Sequence, residues 1–83
     1  AGGQVQVSGH TDNIPIAFSE RFDSNWDLSA ARAAAVADFF FANNDITSER
    51  VSVFGYADTK PVANNESATG RAENRRIEIL IDG

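Results

Sequence analysis

Residues 4–44, "QVQVSGHTDNIPIAFSERFDSNWDLSAARAAAVADFFFANN", run from an alternating apolar segment through a polar cluster and an irregular loop into a long alanine-rich segment. The first six residues alternate polar and apolar and stop at Gly9, which predicts a short strand with Val5 and Val7 on one side. His10, Thr11 and Asp12 then fall just past the C-terminal end of that strand. From Asn13 to Asp23 no period is sustained and Pro15 interrupts, so a loop is predicted, with Ile14, Ile16, Phe18 and Phe22 folded over a neighbouring surface. "SNWDLSAARAAAVADFFFANN" predicts a helix: Ser24 or Asn25 can cap it, Asp27 complements the dipole in the first turn, and Asn43-Asn44 stops it. At 100° per residue Leu28, Arg32, Ala35, Val36 and Phe39 share one arc, which places the Arg32 guanidinium on the expected core face. Phe40 and Phe41 lie further round.

Downstream, "RVSVFGY" reads as a second strand ending at Gly55, and "ADTKPVANNESATG" as a turn-rich polar connection. "GRAENRR" reads as a helical turn. "RIEILIDG" alternates Ile77, Ile79 and Ile81 with Glu78, Leu80 and Asp82, as a half-buried strand does. Strand, helix, strand and strand predict a two-layer α/β unit, with the helix on one face of a small sheet.

Composition narrows the function. With 83 residues the chain holds one small domain, and its start at Ala1 reads as a piece of a longer protein. A net charge of -5 argues against a nucleic-acid partner, whose binding rests on clustered Lys and Arg. No cysteine is present, so neither a disulfide framework nor a thiolate metal site can form. His10 and Asp12 form an H-x-D pair at a strand end, but one histidine and no third ligand in register predict no metal centre and no cofactor. His10 is expected to make a structural hydrogen bond. Ser8 lacks a nucleophile elbow and an acid-base set. Trp26 beside the helix start reads as a core or loop anchor in preference to a sugar-stacking platform. Arg71, Arg75 and Arg76 read as a solvated turn with one member reaching a pocket.

The connection after the first strand brings Asp12 to the N-terminal end of the helix, near Arg32. A partly buried guanidinium needs an anion. Two readings follow. Either Asp12 and Arg32 form an internal ion pair, or they line a zwitterion site in which Arg32 and the helix N-terminus take a carboxylate, Asp12 an ammonium, and Asn25 adds a neutral amide.

"GHTDN", "SNWDLSAARAAAV", "VSVFGYADTKPVANN" and "GRAENRRIEILI", in this order, resemble the OmpA-like peptidoglycan-binding domain over essentially the whole chain, and within it the flagellar stator branch, MotB and PomB. The resemblance implies a two-layer α/β sandwich, a small mixed sheet with helices on one face, and a non-enzymatic domain that binds the diaminopimelate of stem peptides in peptidoglycan. It carries ligand contact to Asp12 and Arg32, with Asn25 preceding "LS", Asn74 and Arg75 in "NRR", and Thr11 and Leu28 in the same motifs completing the set. It further implies a Gram-negative periplasmic location, an inner-membrane-anchored parent with a channel partner subunit, and a homodimer. Pal-type lipoproteins and outer-membrane OmpA proteins share most of the motifs and are the alternative parents. The family's first strand and helix have no counterpart here, so the domain reads as N-terminally truncated. Outside the family, the residues leave open a murein or metal-dependent hydrolase using His10 and Asp12, and a dimerisation domain using Phe41.

Overall fold

The computed structural model describes residues 3–16, 22–43 and 46–82. Strand β1 spans Gln4–Gly9, helix α1 Asn25–Asn43, strand β2 Val51–Gly55, helix α2 Ala68–Asn74 and strand β3 Ile77–Asp82, with a 3-10 turn at Ser48–Arg50. The sheet order is β2-β1-β3. β1 runs parallel to β2, with Val5 opposite Val51 and Val7 opposite Val53, and antiparallel to β3, with Val5 opposite Ile81 and Val7 opposite Ile79. Parallel pairing needs a crossover, and α1 supplies it. The expected small mixed sheet is therefore present. Phe18 lies outside the described residues.

The central strand holds the core. Val5 and Val7 are fully buried against Ala33 and Ala37, and Val36, Phe40, Ile46, Val51 and Ile77 pack around them. Burying each valine contributes about 1.5–3 kcal/mol relative to exposure.

The helix is rotated from the predicted orientation. Its buried residues are Ser29, Ala33 and Ala37, one position round from the predicted arc, a shift of about 100°. Leu28 and Val36 are half-buried, Arg32 and Ala35 are exposed, and Phe39 is 69% exposed. Backbone proximity is the cause. A Cβ on Gly9 would lie 2.0 Å from the carbonyl oxygen of Ser29, and one on Gly55 would lie 2.8 Å from the amide of Ala30. The helix therefore rests its first turns directly on the sheet, which only small side chains permit, and the bulky residues turn to the flanks. Phe40 joins the core edge while Phe41 is half-buried.

β3 also differs from expectation. Ile77 packs on the core, but Ile79 is 44% and Ile81 65% exposed. They share the face of Val7 and Val5, yet α1 packs over β1 and β2 and leaves this outer strand uncovered.

Candidate functional site

The C-terminal ends of β1 and β2 are laced together beside the start of α1. Tyr56 N–H donates to Gly9 O at 3.0 Å, Thr11 N–H to Ala57 O at 2.8 Å, and His10 N–H to Arg76 O at 2.9 Å. The helix start is fixed by Ser24, whose Oγ accepts from Asp27 N–H at 3.4 Å, so Ser24 and not Asn25 is the cap. Asn25 instead ties the loop after β1 to the helix, its Nδ2 donating to Ile14 O at 3.0 Å.

Thr11, Asp12, Asn25, Leu28, Arg32 and Arg75 line one cavity of about 210 Å³, walled by Ile14, Pro15 and Ile16. Six of the seven residues expected from the motifs thus converge. Thr11 is buried and its Oγ1 donates to Asp12 O at 2.8 Å. The carboxylate of Asp12 accepts from Ile14 N–H through Oδ1 at 3.0 Å and from Arg75 Nη1 through Oδ2 at 2.7 Å. The internal partner of Asp12 is therefore Arg75, and the Asp12–Arg32 ion pair does not form. Arg32 lies on the exposed flank of α1, not on its core face, and its guanidinium makes no hydrogen bond or ion pair among the described residues. Among the described residues, one guanidinium at the cavity is occupied and one has no partner.

Asn74 does not reach the cavity. It is completely buried, its Oδ1 accepts from Val62 N–H at 2.8 Å and Ala63 N–H at 3.0 Å, and its Nδ2 donates to Ala63 O and to Asn65 Oδ1. It holds the connection before α2 and thereby positions its neighbour Arg75. Arg71 likewise donates to Asn65 O at 2.9 Å, and Arg76 bonds Lys60 O and Glu78, so neither is a free solvated cation.

His10 departs from expectation. Its ring is buried, both nitrogens lack a hydrogen-bond partner among the described residues, and it stacks on Tyr56 at 5.2 Å between ring centroids. Burial holds its pKa below the usual imidazole value, helped by the positive charges of Arg76 and Lys60 and opposed by Glu78. No group of three metal-ligating side chains exists among the described residues.

Two residues inside the motifs, Ser29 and Ala57, receive no role from the sequence reading and prove structural. Ser29 is buried, donating to Trp26 O at 3.1 Å and accepting from Ala57 N–H at 3.1 Å. Ala57 has a positive φ of 52°, in the left-handed region, and turns the chain after β2 toward the site.

The sequence matches the OmpA family model over residues 2–75, the span that contains β1, α1, β2 and α2. The chain belongs to the OmpA family. Motility protein B of Bacillus subtilis is 48% identical over 77 residues, covering 93% of this chain and 29% of that protein. Peptidoglycan-binding protein ArfA of Mycobacterium tuberculosis is 37% identical over 79 residues, covering 95% of this chain and 22% of ArfA. The solved cell wall anchor of the T6SS from Pseudomonas aeruginosa superposes with a TM-score of 0.84 at 55% identity, covering 93% of this chain and 52% of that one. The chain spans less than a third of these curated relatives and about half of the solved anchor. As an OmpA family domain it is a non-enzymatic binding module, and its three-stranded mixed sheet with two helices matches part of the fold of the solved anchor.

Proposed function

We propose that the protein binds peptidoglycan non-covalently through the diaminopimelate of its stem peptides. The observation that carries this reading is the available guanidinium of Arg32 in a cavity whose other charged groups, Asp12 and Arg75, already neutralise each other. Such a cavity has room for one further carboxylate. Diaminopimelate brings a carboxylate to Arg32 and an ammonium to the remaining lone pairs of Asp12, while Asn25 and Thr11 shape the loop and Leu28 packs against the aliphatic chain. Asn74 acts here through the placement of Arg75.

The motifs, the name of the mycobacterial relative and that of the solved anchor all support cell-wall attachment outside the cytoplasmic membrane. For the parent protein we propose a membrane-anchored stator of the MotB type, working as a homodimer with a channel partner subunit, in the periplasm. A second reading, a cell-wall anchor of a secretion machine, is favoured by the 55% identity to the solved anchor.

Calorimetric titration tests the binding reading. Diaminopimelate-type stem peptides should bind, and lysine-type or amidated ones should bind far more weakly, because each lacks the carboxylate that Arg32 takes. Equal affinity for the three would refute it. Incubation with purified sacculi should give co-sedimentation without released fragments.

A further inference from the structure

Trp26 is 55% exposed and is therefore not the core or loop anchor expected from the sequence. It stands at the second position of α1 and lines a second cavity of about 380 Å³ with Asn13, Ser24, Asp23 and Asp58. This cavity shares Pro15, Ile16 and Asn25 with the cavity of Arg32, so the two adjoin. Their chemistry differs. The first carries two guanidinium groups and the carboxylate of Asp12, whereas the second carries two carboxylates and, among the described residues, no Lys or Arg. A ligand carboxylate is repelled there, and a neutral group that donates hydroxyl and amide hydrogen bonds is accepted. An exposed indole face adds a requirement for a flat apolar surface. A pyranose ring satisfies both, with C–H groups on its face and hydroxyl groups at its rim.

We propose that this second cavity is a subsite for a hexosamine of the glycan strand, with Trp26 as the stacking platform and Asp23 and Asp58 as acceptors for sugar hydroxyl groups. The assignment rests on the stem-peptide reading above, because it is the adjacency of the cavities that points to the sugar end of the same molecule as the occupant. The platform is pre-set: Trp26 O accepts from Ser29 Oγ, and Ala57, held by the same hydroxyl, carries the chain into Asp58. The first bond uses the backbone carbonyl of residue 26 and the second does not involve residue 26, so Trp26→Ala leaves both in place.

The test compares the native protein with Trp26→Ala by calorimetry, using a diaminopimelate stem peptide, the same peptide attached to a disaccharide of N-acetylated hexosamines, and the free disaccharide. The native protein should bind the disaccharide-peptide roughly five- to tenfold more tightly than the peptide. Trp26→Ala should lose that advantage while keeping its peptide affinity and melting temperature, and Trp26→Tyr should restore most of it. A Trp26→Ala protein that retains the advantage would overturn the subsite. So would equal weakening of both ligands, which would place Trp26 against the peptide. If the native protein binds the free disaccharide in a Trp26-dependent way but not the stem peptide, the stem-peptide reading fails and the sugar subsite stands.

Discussion

Arg75 donates to Asp12 across 2.7 Å, bridging residues 63 apart in the chain, while Arg32 in the same cavity is without a partner among the described residues. The two arginines therefore have different duties. Arg32→Ala should abolish binding to sacculi and leave the melting temperature unchanged, because no intramolecular bond is lost. Asp12→Ala removes the Arg75 pair and the acceptor for Ile14 N–H; with Arg75 46% exposed, water re-solvates much of the guanidinium. A loss of about 1–2 kcal/mol is expected, together with loss of binding. Chemical denaturation beside pull-down separates the two, and an equally large destabilisation by Arg32→Ala would show that Arg32 is structural.

Asn74 is the buried polar residue on which the second half of the chain depends. Replacement by alanine strands the amides of Val62 and Ala63 and removes two further bonds. We expect a loss of roughly 2–4 kcal/mol, which in a domain of this size lowers the melting temperature by on the order of 10–20 °C. Because Asn74 also holds Arg75 in place, affinity per folded molecule should fall as well, by less than on Arg32→Ala. An Asn74→Ala protein of unchanged stability would contradict this role.

Gly9→Ala should be among the most damaging single methyl additions. The new Cβ meets the carbonyl of Ser29, which is helix backbone and cannot swing aside. About 3 kcal/mol of destabilisation is expected as α1 is pushed from the sheet. Because Leu28 and Arg32 ride on the same turns, residual folded protein should also bind less tightly. Thermal unfolding is the direct check, and unchanged stability would mean that the close approach of helix and strand is not maintained in solution.

His10 makes stability depend on pH. Its pKa is lowered in the fold, by burial above all, so between that folded value and about 6.5 the unfolded chain binds more protons than the native one. Stability should consequently fall as pH drops through 6.5 and level off once the pH is beneath the folded value. Glu78 acts at lower pH. Its hydrogen bond from Arg76 lowers its pKa, so its contribution is present above its usual value of 4.5 and is lost as pH falls through the folded value. His10→Phe keeps a ring to stack on Tyr56 and should flatten the stability profile from pH 5 to 7.5. A profile identical to that of the native protein would exclude His10 as the titrating group.

Much of the architecture was legible in local pattern. The alternation of Val5 with Val7, the capped alanine-rich segment and the glycines at positions 9 and 55 specify strand, helix and strand, because period and backbone freedom are properties of the chain itself. The motif order likewise brought Thr11, Asp12, Asn25, Leu28, Arg32 and Arg75 to one cavity. What periodicity could not supply was the rotation of α1 about its axis. A pattern of large apolar residues points Leu28, Arg32 and Phe39 at the sheet, but the energy is decided by how closely two backbones can approach, and Ser29, Ala33 and Ala37 allow the closer contact. That rotation places Arg32 on the open flank. Ion-pair choice was equally out of reach of spacing: Asp12 could pair with any cation brought within about 4 Å, and only the fold of the α2 connection, pinned by Asn74, selects Arg75 and leaves Arg32 for a ligand. Trp26 and His10 follow the same rule, since whether an aromatic ring is covered depends on which elements meet above it, and that is a property of the assembled layers, not of any segment.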